Sequence, residues 1–391
     1  MPLNRPLFIK DHQERLLCPL PLAIDNYRGC STACAYCSLN GLRTGVQCGA
    51  EVSANSVVYI EKFFYHHKTS MERQLIDQRV PIQVGVSSDP LQPAEKQHHV
   101  TLRVLKVLRD KNYPVVITSK YPGQLVGPAY LRAIDALPLV VQCSICSADP
   151  TIVSQLEPRG PSIPQRLKAL RILASAGVHV QLRLWPFIPD LCGNLDVLLG
   201  AAHDAGVKVV QANPLKVYHS GTRERINAAL GRDYLATTPL RYENHGVFSV
   251  PCPEDQAQDL SRLKALCRKF GMKLLNCDDC EGRGWQSCCG VDGLPGFEGI
   301  ARWAYFVNGH RIREHTETDF ETYMAGHCCP WHDEFEQQWE AGKLAESIPE
   351  LRFNRKNKTY TRLKACVEIQ EKEKGVKKNL GQNTELLAAA Q

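Results

Sequence analysis

Between about residues 80 and 215 the chain repeats one unit: a short apolar run rich in β-branched residues, a polar turn, and an amphipathic stretch of helix length. The runs are IQVGVSS (82–88), PVVITSK (114–120), LVVQCSI (139–145), HVQLRLW (179–185) and VKVVQAN (207–213). Short runs of this kind read as strands buried on both faces, the pattern of parallel sheet. The stretches between them, such as EKQHHVTLRVLKVLRD, PSIPQRLKALRILASAG and NLDVLLGAAHDAG, place apolar residues every three or four positions, and two of them close on Gly, as crossover helices do. AIDNYRG at 23–29 supplies a first strand, so six βα units are expected, with the first helix within 55–78. Six are fewer than the eight that close a standard barrel. The expected architecture is therefore α/β, an open, partial (β/α)6 barrel, with a doubly wound sheet as the alternative. In either, the chemistry belongs on loops at the C-terminal ends of the strands.

The remainder of the 391 residues has room for a smaller second unit. We expect a barrel with linker over 1–250, a cysteine-rich metal-binding extension over 251–366 and a charged tail over 367–391. Residues 216–250 lack clean periodicity and read as an excursion or linker, and a helix at 255–270 with the run MKLLN (272–276) briefly resumes the repeat. Hydrophobic residues at 43% and charged residues at 23% exclude an intrinsically disordered chain. A formal charge of +6 permits an anionic partner without requiring one. No apolar stretch approaches the ~18 residues of a membrane span, and the N-terminus has no secretory pattern, so a cytoplasmic protein without membrane association is expected.

Seventeen cysteines are too many for casual core filling, and without a secretory signal they do not read as a disulfide framework. Metal ligation is the economical explanation for the clustered ones. Cys30, Cys34 and Cys37 are spaced by three and then two residues in a loop of Gly and small residues directly after a strand. Three thiolates so spaced can wrap one face of a cubane [4Fe-4S] cluster and leave the fourth iron without a protein ligand. Zinc, with Cys48 as a fourth ligand, and three core cysteines are the alternatives. A second group comprises Cys277 and Cys280, then Cys288 and Cys289, and much later Cys328 and Cys329. One tetrahedral site built from Cys277, Cys280 and one member of each vicinal pair suits a second [4Fe-4S] cluster or zinc, with a redox-active thiol pair also open.

The first triad, with Tyr36 immediately before the third cysteine at the top of a first barrel strand, resembles the radical S-adenosylmethionine (SAM) superfamily. GVSSDPLQPAEKQHHVTLRVLKVL followed by YPVVITSK, and LEPRGPSIPQRLKALRILASAGVHVQLRLWPFIPDL, look like segments of spore photoproduct lyase-like proteins. The resemblance covers about residues 23–215. It implies that the open iron is chelated by the amino and carboxylate groups of S-adenosyl-L-methionine. One-electron reduction, by a reductase such as flavodoxin or ferredoxin, then cleaves a carbon–sulfur bond, and the 5′-deoxyadenosyl radical abstracts hydrogen. That group includes a DNA repair enzyme and members with other tasks, so the substrate stays open: a small molecule, nucleotide or peptide is preferred. Nucleic acid is the alternative, supported by the basic run Arg352, Arg355, Lys356 and Lys358 with Phe353 and Tyr360 interleaved. A non-catalytic iron–sulfur or zinc protein acting in electron transfer is the third reading.

Position relative to the triad assigns candidate roles. Tyr36 is placed among the cofactor contacts. Ser87, Ser88 and Asp89 are expected at the methionyl amine, with a turn-capping Asp89 as the alternative. Ser119 and Lys120 end the third strand, near the methionyl carboxylate or ribose. Arg159 is a bidentate anion holder, or else half of a structural pair with Glu157. Arg183, charged inside a strand, is expected to face a polar cavity, and Asn213 to meet adenine or ribose. Cys143 and Cys146 stand three apart at the end of the fourth strand, on opposite sides if the strand stays regular. One of them is then a candidate hydrogen-atom donor, ordinary core cysteines being the other reading.

Overall fold

A computed structural model of the protein describes residues 7–9, 20, 22–37, 51–52, 55–65, 76, 79–218, 221–244, 246, 248–276, 289–291 and 293–298. Cys48, Cys277, Cys280, Cys288, Cys328, Cys329, the basic run and the tail lie outside the described residues. The strands are β1 (Leu7–Ile9), β2 (Leu22–Ile24), β3 (Tyr27–Arg28), β4 (Glu51–Val52), β5 (Ile82–Val84), β6 (Val115–Ser119), β7 (Leu139–Ser144), β8 (His179–Phe187), β9 (Val209–Pro214), β10 (Val217–Tyr218), β11 (Tyr242–Asn244), β12 (Phe248–Pro251) and β13 (Lys273–Leu275).

The main sheet runs β1-β2-β5-β6-β7-β8-β9-β13. Apart from the antiparallel β1–β2 pair, every neighbouring pair in it is parallel. Strand order follows chain order without reversal, whereas a doubly wound sheet reverses at its switch point. That alternative is therefore excluded, and the winding is that of a barrel left open between β1 and β13. The parallel strands number seven rather than six, because the MKLLN run becomes β13 beside β9, reached through the helix Pro253–Lys269. The excursion after β9 carries a small antiparallel sheet, β10-β12-β11, and the helix Thr222–Leu230.

Local chemistry explains the crossovers. The helix Ile163–Ser175 starts on a capping box: Ser162 accepts from the Gln165 backbone while the Gln165 side chain accepts from the Ser162 backbone, with a proline in the first turn. Ala169, Leu170 and Leu173 on its buried face pack on the sheet. Residues at alternate positions, among them Ile82, Val84, Val115, Ile117, Val141 and Leu182, form the main core beneath the helices.

The opposite, inner face is different. Val116 and Val140 pack with Leu20, Val291 and Phe297 in a separate cluster. Beside them runs a ladder of amides. Gln83 Nε2 donates to Thr118 Oγ1 (3.1 Å), Thr118 Oγ1 to Gln142 Oε1 (3.0 Å), and Gln142 Nε2 and Gln211 Nε2 both to Gln181 Oε1 (3.0 and 2.8 Å). The ladder ends on backbone: Gln211 donates to the Cys289 carbonyl (3.0 Å) and Gln181 to the Gly290 carbonyl (2.8 Å). Residues 289–291 and 293–298 thus seal the inner face toward the N-terminal ends of the strands, where a Cβ on Gly296 would stand 2.6 Å from Pro138. The strands are buried on both faces, as parallel strands should be, but among the described residues only one cover is made of helices.

Candidate functional site: the cysteine loop at the C-terminal ends of the strands

The loop carrying Cys30, Cys34 and Cys37 follows β2 and turns at Gly29, whose φ of +79° suits glycine. Four separate elements grip it. Gln92, fully buried after β5, accepts from the Ser31 amide (2.8 Å) and donates to the Gly29 carbonyl (3.2 Å). Leu156, ending the helix Pro150–Leu156, accepts from the Ala35 amide (2.9 Å). Arg225 donates to the carbonyls of Ala35 (3.3 Å) and Cys37 (3.0 Å). The Thr32 hydroxyl donates to Tyr121 Oη (3.2 Å), whose own proton goes to the Arg159 carbonyl (2.7 Å). Each elementary bond is worth about 1 kcal/mol net, so the loop is fixed by their number rather than by any one.

The neighbouring loops are braced by two carboxyl groups, Asp25 half-buried and Asp89 buried. Asp25 Oδ1 accepts from the amides of Val86 (2.9 Å), Ser87 (3.0 Å) and Ser88 (3.3 Å). Asp89 accepts from Ser119 Oγ (2.6 Å), the Lys120 amide (2.7 Å) and the Leu91 amide (3.0 Å). Burial raises both acids above their ordinary values against the pull of these donors. Asp89 therefore caps its own turn, the plainer of its two expected roles, and ties the loops after β5 and β6 together. The Cys30 sulfur lies 3.2 Å from Thr32 Oγ1. The Ser88 hydroxyl, one residue before Asp89, is buried with no hydrogen-bond partner among the described residues.

Beneath the loop lies a group of charges centred on Glu157. Its Oε2 stands 2.6 Å from Arg166 Nη2, a buried ion pair whose N–H is out of line for a hydrogen bond. Its Oε1 accepts from the Tyr36 hydroxyl and lies 3.6 Å from Lys120 Nζ. Burial alone would raise Glu157, but Lys120 and Arg166 hold it below its ordinary value. Burial likewise opposes charge on Lys120, and Glu157 and Cys34 outweigh it and keep the ammonium protonated. Burial drives the Cys34 thiol up, with Lys120 pulling the other way.

The remaining candidates are placed as follows. Glu157 does form a structural pair, but with Arg166, while the Arg159 side chain is exposed. Arg183 faces inward, its guanidinium 4.0 Å from the Trp185 ring centroid, and Asn213 lies on the same face of β9. Cys143 belongs to the helix-side core, away from the inner face, and its pKa is raised to about 12, chiefly by burial. Cys146 is equally buried, and burial, with Glu157 second, pushes its thiol well up. Cys289 supplies a carbonyl to the ladder. Sequence reasoning missed Gln92, Arg166, Arg225 and Asp25. Gln92 and Arg166 lie within the quoted segments GVSSDPLQPAEK and LEPRGPSIPQR, where polar residues flanked by proline turns were the available signal.

Comparison with known proteins fits this architecture. A mutant spore photoproduct lyase with bound AdoMet and dinucleoside spore photoproduct matches with a TM-score of 0.51 and 16% identity, over 68% of this chain and 78% of that one. A second mutant of that enzyme gives 0.52 and 16%, over 69% and 79%. The chain has the spore photoproduct lyase fold. That fold accounts for the sequential winding of the sheet. By sequence, uncharacterized proteins of Mycobacterium tuberculosis and Mycobacterium bovis are 25% identical over 194 residues, 48% of this chain and 56% of theirs. The chain thus spans a little over half the length of the curated relatives it matches. No protein-family model matches.

The donor set can be tested against a cluster. Among the described residues no three His, Cys, Asp or Glu side chains gather closely enough to share one metal ion. A cubane asks for something else, one thiolate at each of three separate corners. Three cysteines on one braced loop, a hydroxyl against the Cys30 sulfur and a lysine that draws the Cys34 thiol toward its thiolate are chemically suited to an anionic iron–sulfur group. The residues present fit it.

Proposed function

We propose that the protein is a radical SAM enzyme in which Cys30, Cys34 and Cys37 hold a [4Fe-4S] cluster whose fourth iron takes S-adenosyl-L-methionine. The observation that supports this best is the three-cysteine loop, gripped at the C-terminal end of the first parallel strand of a barrel with the spore photoproduct lyase fold. Loaded with both groups, the site would supply a 5′-deoxyadenosyl radical for hydrogen abstraction, with electrons from a reductase such as flavodoxin or ferredoxin.

The chain's own residues supply position and dryness. Gln92 and Arg225 hold the loop, Asp25 and Asp89 brace the loops beside it, and the Ser88 hydroxyl has hydrogen-bonding capacity left for the methionyl group. Lys120 favours the thiolate that Cys34 must become, since ligand thiols lose their protons on binding metal. Arg183, Trp185 and Asn213 wall the inner face above the amide ladder, and residues 289–291 and 293–298 close that face from below, so substrate enters from the strand-end side. We assign a small molecule, nucleotide or peptide as substrate. A nucleic-acid substrate is the second reading, favoured by the dinucleoside photoproduct bound in the fold neighbour. It calls for binding that weakens steeply with salt. We further propose a second metal, an iron–sulfur cluster or zinc, on the later cysteines. Among the described residues no helix is long and apolar enough to cross a membrane.

The test is anaerobic reconstitution followed by dithionite and S-adenosyl-L-methionine. The expected product is 5′-deoxyadenosine, lost when Cys30, Cys34 and Cys37 are each replaced by Ala while part of the iron remains. A fully loaded protein that makes none would refute the enzyme reading.

A further inference from the structure

The Glu157 group lies under the cysteine loop, yet neither the loop's grip nor a cofactor contact requires two buried charges and a third half-buried one there. Burying an ion costs several kcal/mol unless it is well paired. Arg166 is fully buried and committed: Nη1 donates to the Ser144 carbonyl (2.8 Å), Nε to the Pro161 carbonyl (2.8 Å), and Nη2 meets Glu157. Even the backbone is shaped to it, for a Cβ on Gly160 would stand 2.7 Å from Arg166 Nη2. With Arg166 so tied, Glu157 is fixed, and its other oxygen faces Tyr36 and Lys120. Lys120 Nζ also stands 5.5 Å from the Tyr36 ring centroid, and its charge pulls the Cys34 thiol down. Tyr36 is the residue between Ala35, bonded to Leu156, and Cys37, bonded to Arg225. One helix end therefore holds the loop twice, through the Leu156 carbonyl and through the Glu157 carboxylate.

Resting on the proposed cluster, we infer that Glu157 is a positioning residue for it. Glu157 fixes Tyr36, and with it the span from Cys34 to Cys37, and it aims the Lys120 ammonium at Cys34. Two cations against one carboxylate leave a single net positive charge beneath the cluster, offsetting part of the negative charge that three thiolates bring. The two halves of this assignment predict opposite electrostatic signs. Removing the carboxylate leaves more positive charge and favours the reduced cluster, whereas removing the ammonium favours the oxidised one.

The experiment is a potentiometric titration of the full-length, anaerobically loaded chain without S-adenosyl-L-methionine, followed by EPR. The first cluster's signal is identified by its loss in Cys30→Ala. Glu157→Gln should raise its ratio of reduced to oxidised form at fixed potential about tenfold and Lys120→Met should lower it about tenfold, each equivalent to about 59 mV for a one-electron couple. Tyr36→Phe and Glu157→Ala should lose iron to a chelator several-fold faster than wild type. Glu157→Gln, which keeps an acceptor for the tyrosine, should not. If Glu157→Gln fails to fold, the Lys120→Met potential and the Tyr36→Phe iron loss decide the matter. Shifts of the same sign, or none, with unchanged iron loss would overturn the inference in a chain whose wild type is loaded. A wild type that holds no cluster at Cys30, Cys34 and Cys37 overturns the proposed function itself, and this inference with it.

Discussion

The two ends of the barrel bury polar side chains by opposite means. Toward the C-terminal ends of the strands the polar groups include ions, Glu157 between Arg166 and Lys120, with the carboxyl groups of Asp25 and Asp89 on loop amides. Lower on the inner face they are neutral: Gln83, Thr118, Gln142, Gln181 and Gln211 bond one another and end on the carbonyls of Cys289 and Gly290. Neutral amides carry a small desolvation cost and ions a large one, so a fold that only needed filling would use the first kind throughout. The charged kind stands where the proposed function brings a charged cofactor. The neutral kind stands where the chain closes on itself.

This contrast can be broken by mutation. The largest effect is expected from Arg166→Met, which strands the buried Glu157 carboxylate with Lys120 alone; urea unfolding should show a loss of about 3 to 5 kcal/mol. A loss under 1 kcal/mol would mean that the charges are not structural. At the closed end, Gly290 has φ +62°, and a Cβ there would lie 2.8 Å from both Leu275 and Val209. Gly290→Ala combines a left-handed non-glycine residue with overpacking, about 3 kcal/mol together, and should leave iron at the first three cysteines unchanged. Gln181→Leu removes the donor to the Gly290 carbonyl and should cost about 1 to 3 kcal/mol by the same measurement. The smallest effect is in pH. Because Glu157 is held below its ordinary value near 4.5, its stabilisation is complete above that value and is lost as pH falls through the folded pKa. Asp25 and Asp89, raised by burial, work in the opposite sense. Subtracting the Glu157→Gln melting curve from wild type should therefore isolate a stabilisation that fades below pH 4.5. A difference independent of pH would contradict it.

Much of the scaffold was legible, because strands covered on both faces are written as apolar runs. The runs at 82, 114, 139, 179 and 207 all became strands, and their sequential order separated barrel from doubly wound sheet only once pairing was seen. The amide ladder left a signal that periodicity overlooks. IQV, VQC, VQL and VQA place one glutamine in each of four strands, at Gln83, Gln142, Gln181 and Gln211. What covers them, residues 289–291 and 293–298, lies far along the chain, and no local pattern ties it to the barrel. At the mouth, the cysteine spacing announced the loop. The partner of Glu157 could not be read, because Arg159 is two residues away and Arg166 nine, and only the turn through Gly160 brings the second one back. The role of β1 was invisible for a simpler reason: three residues paired antiparallel at a sheet edge carry no periodicity.

The most direct measurement is the EPR spectrum of the dithionite-reduced protein, recorded with and without S-adenosyl-L-methionine, in wild type and in Cys34→Ala. A reduced cubane signal whose g-values shift when the cofactor is added, and which disappears in the variant, is what three thiolates and one open iron predict. A spectrum that ignores the cofactor, or stoichiometric zinc bound by these cysteines in anaerobically purified protein, would contradict the account at its root.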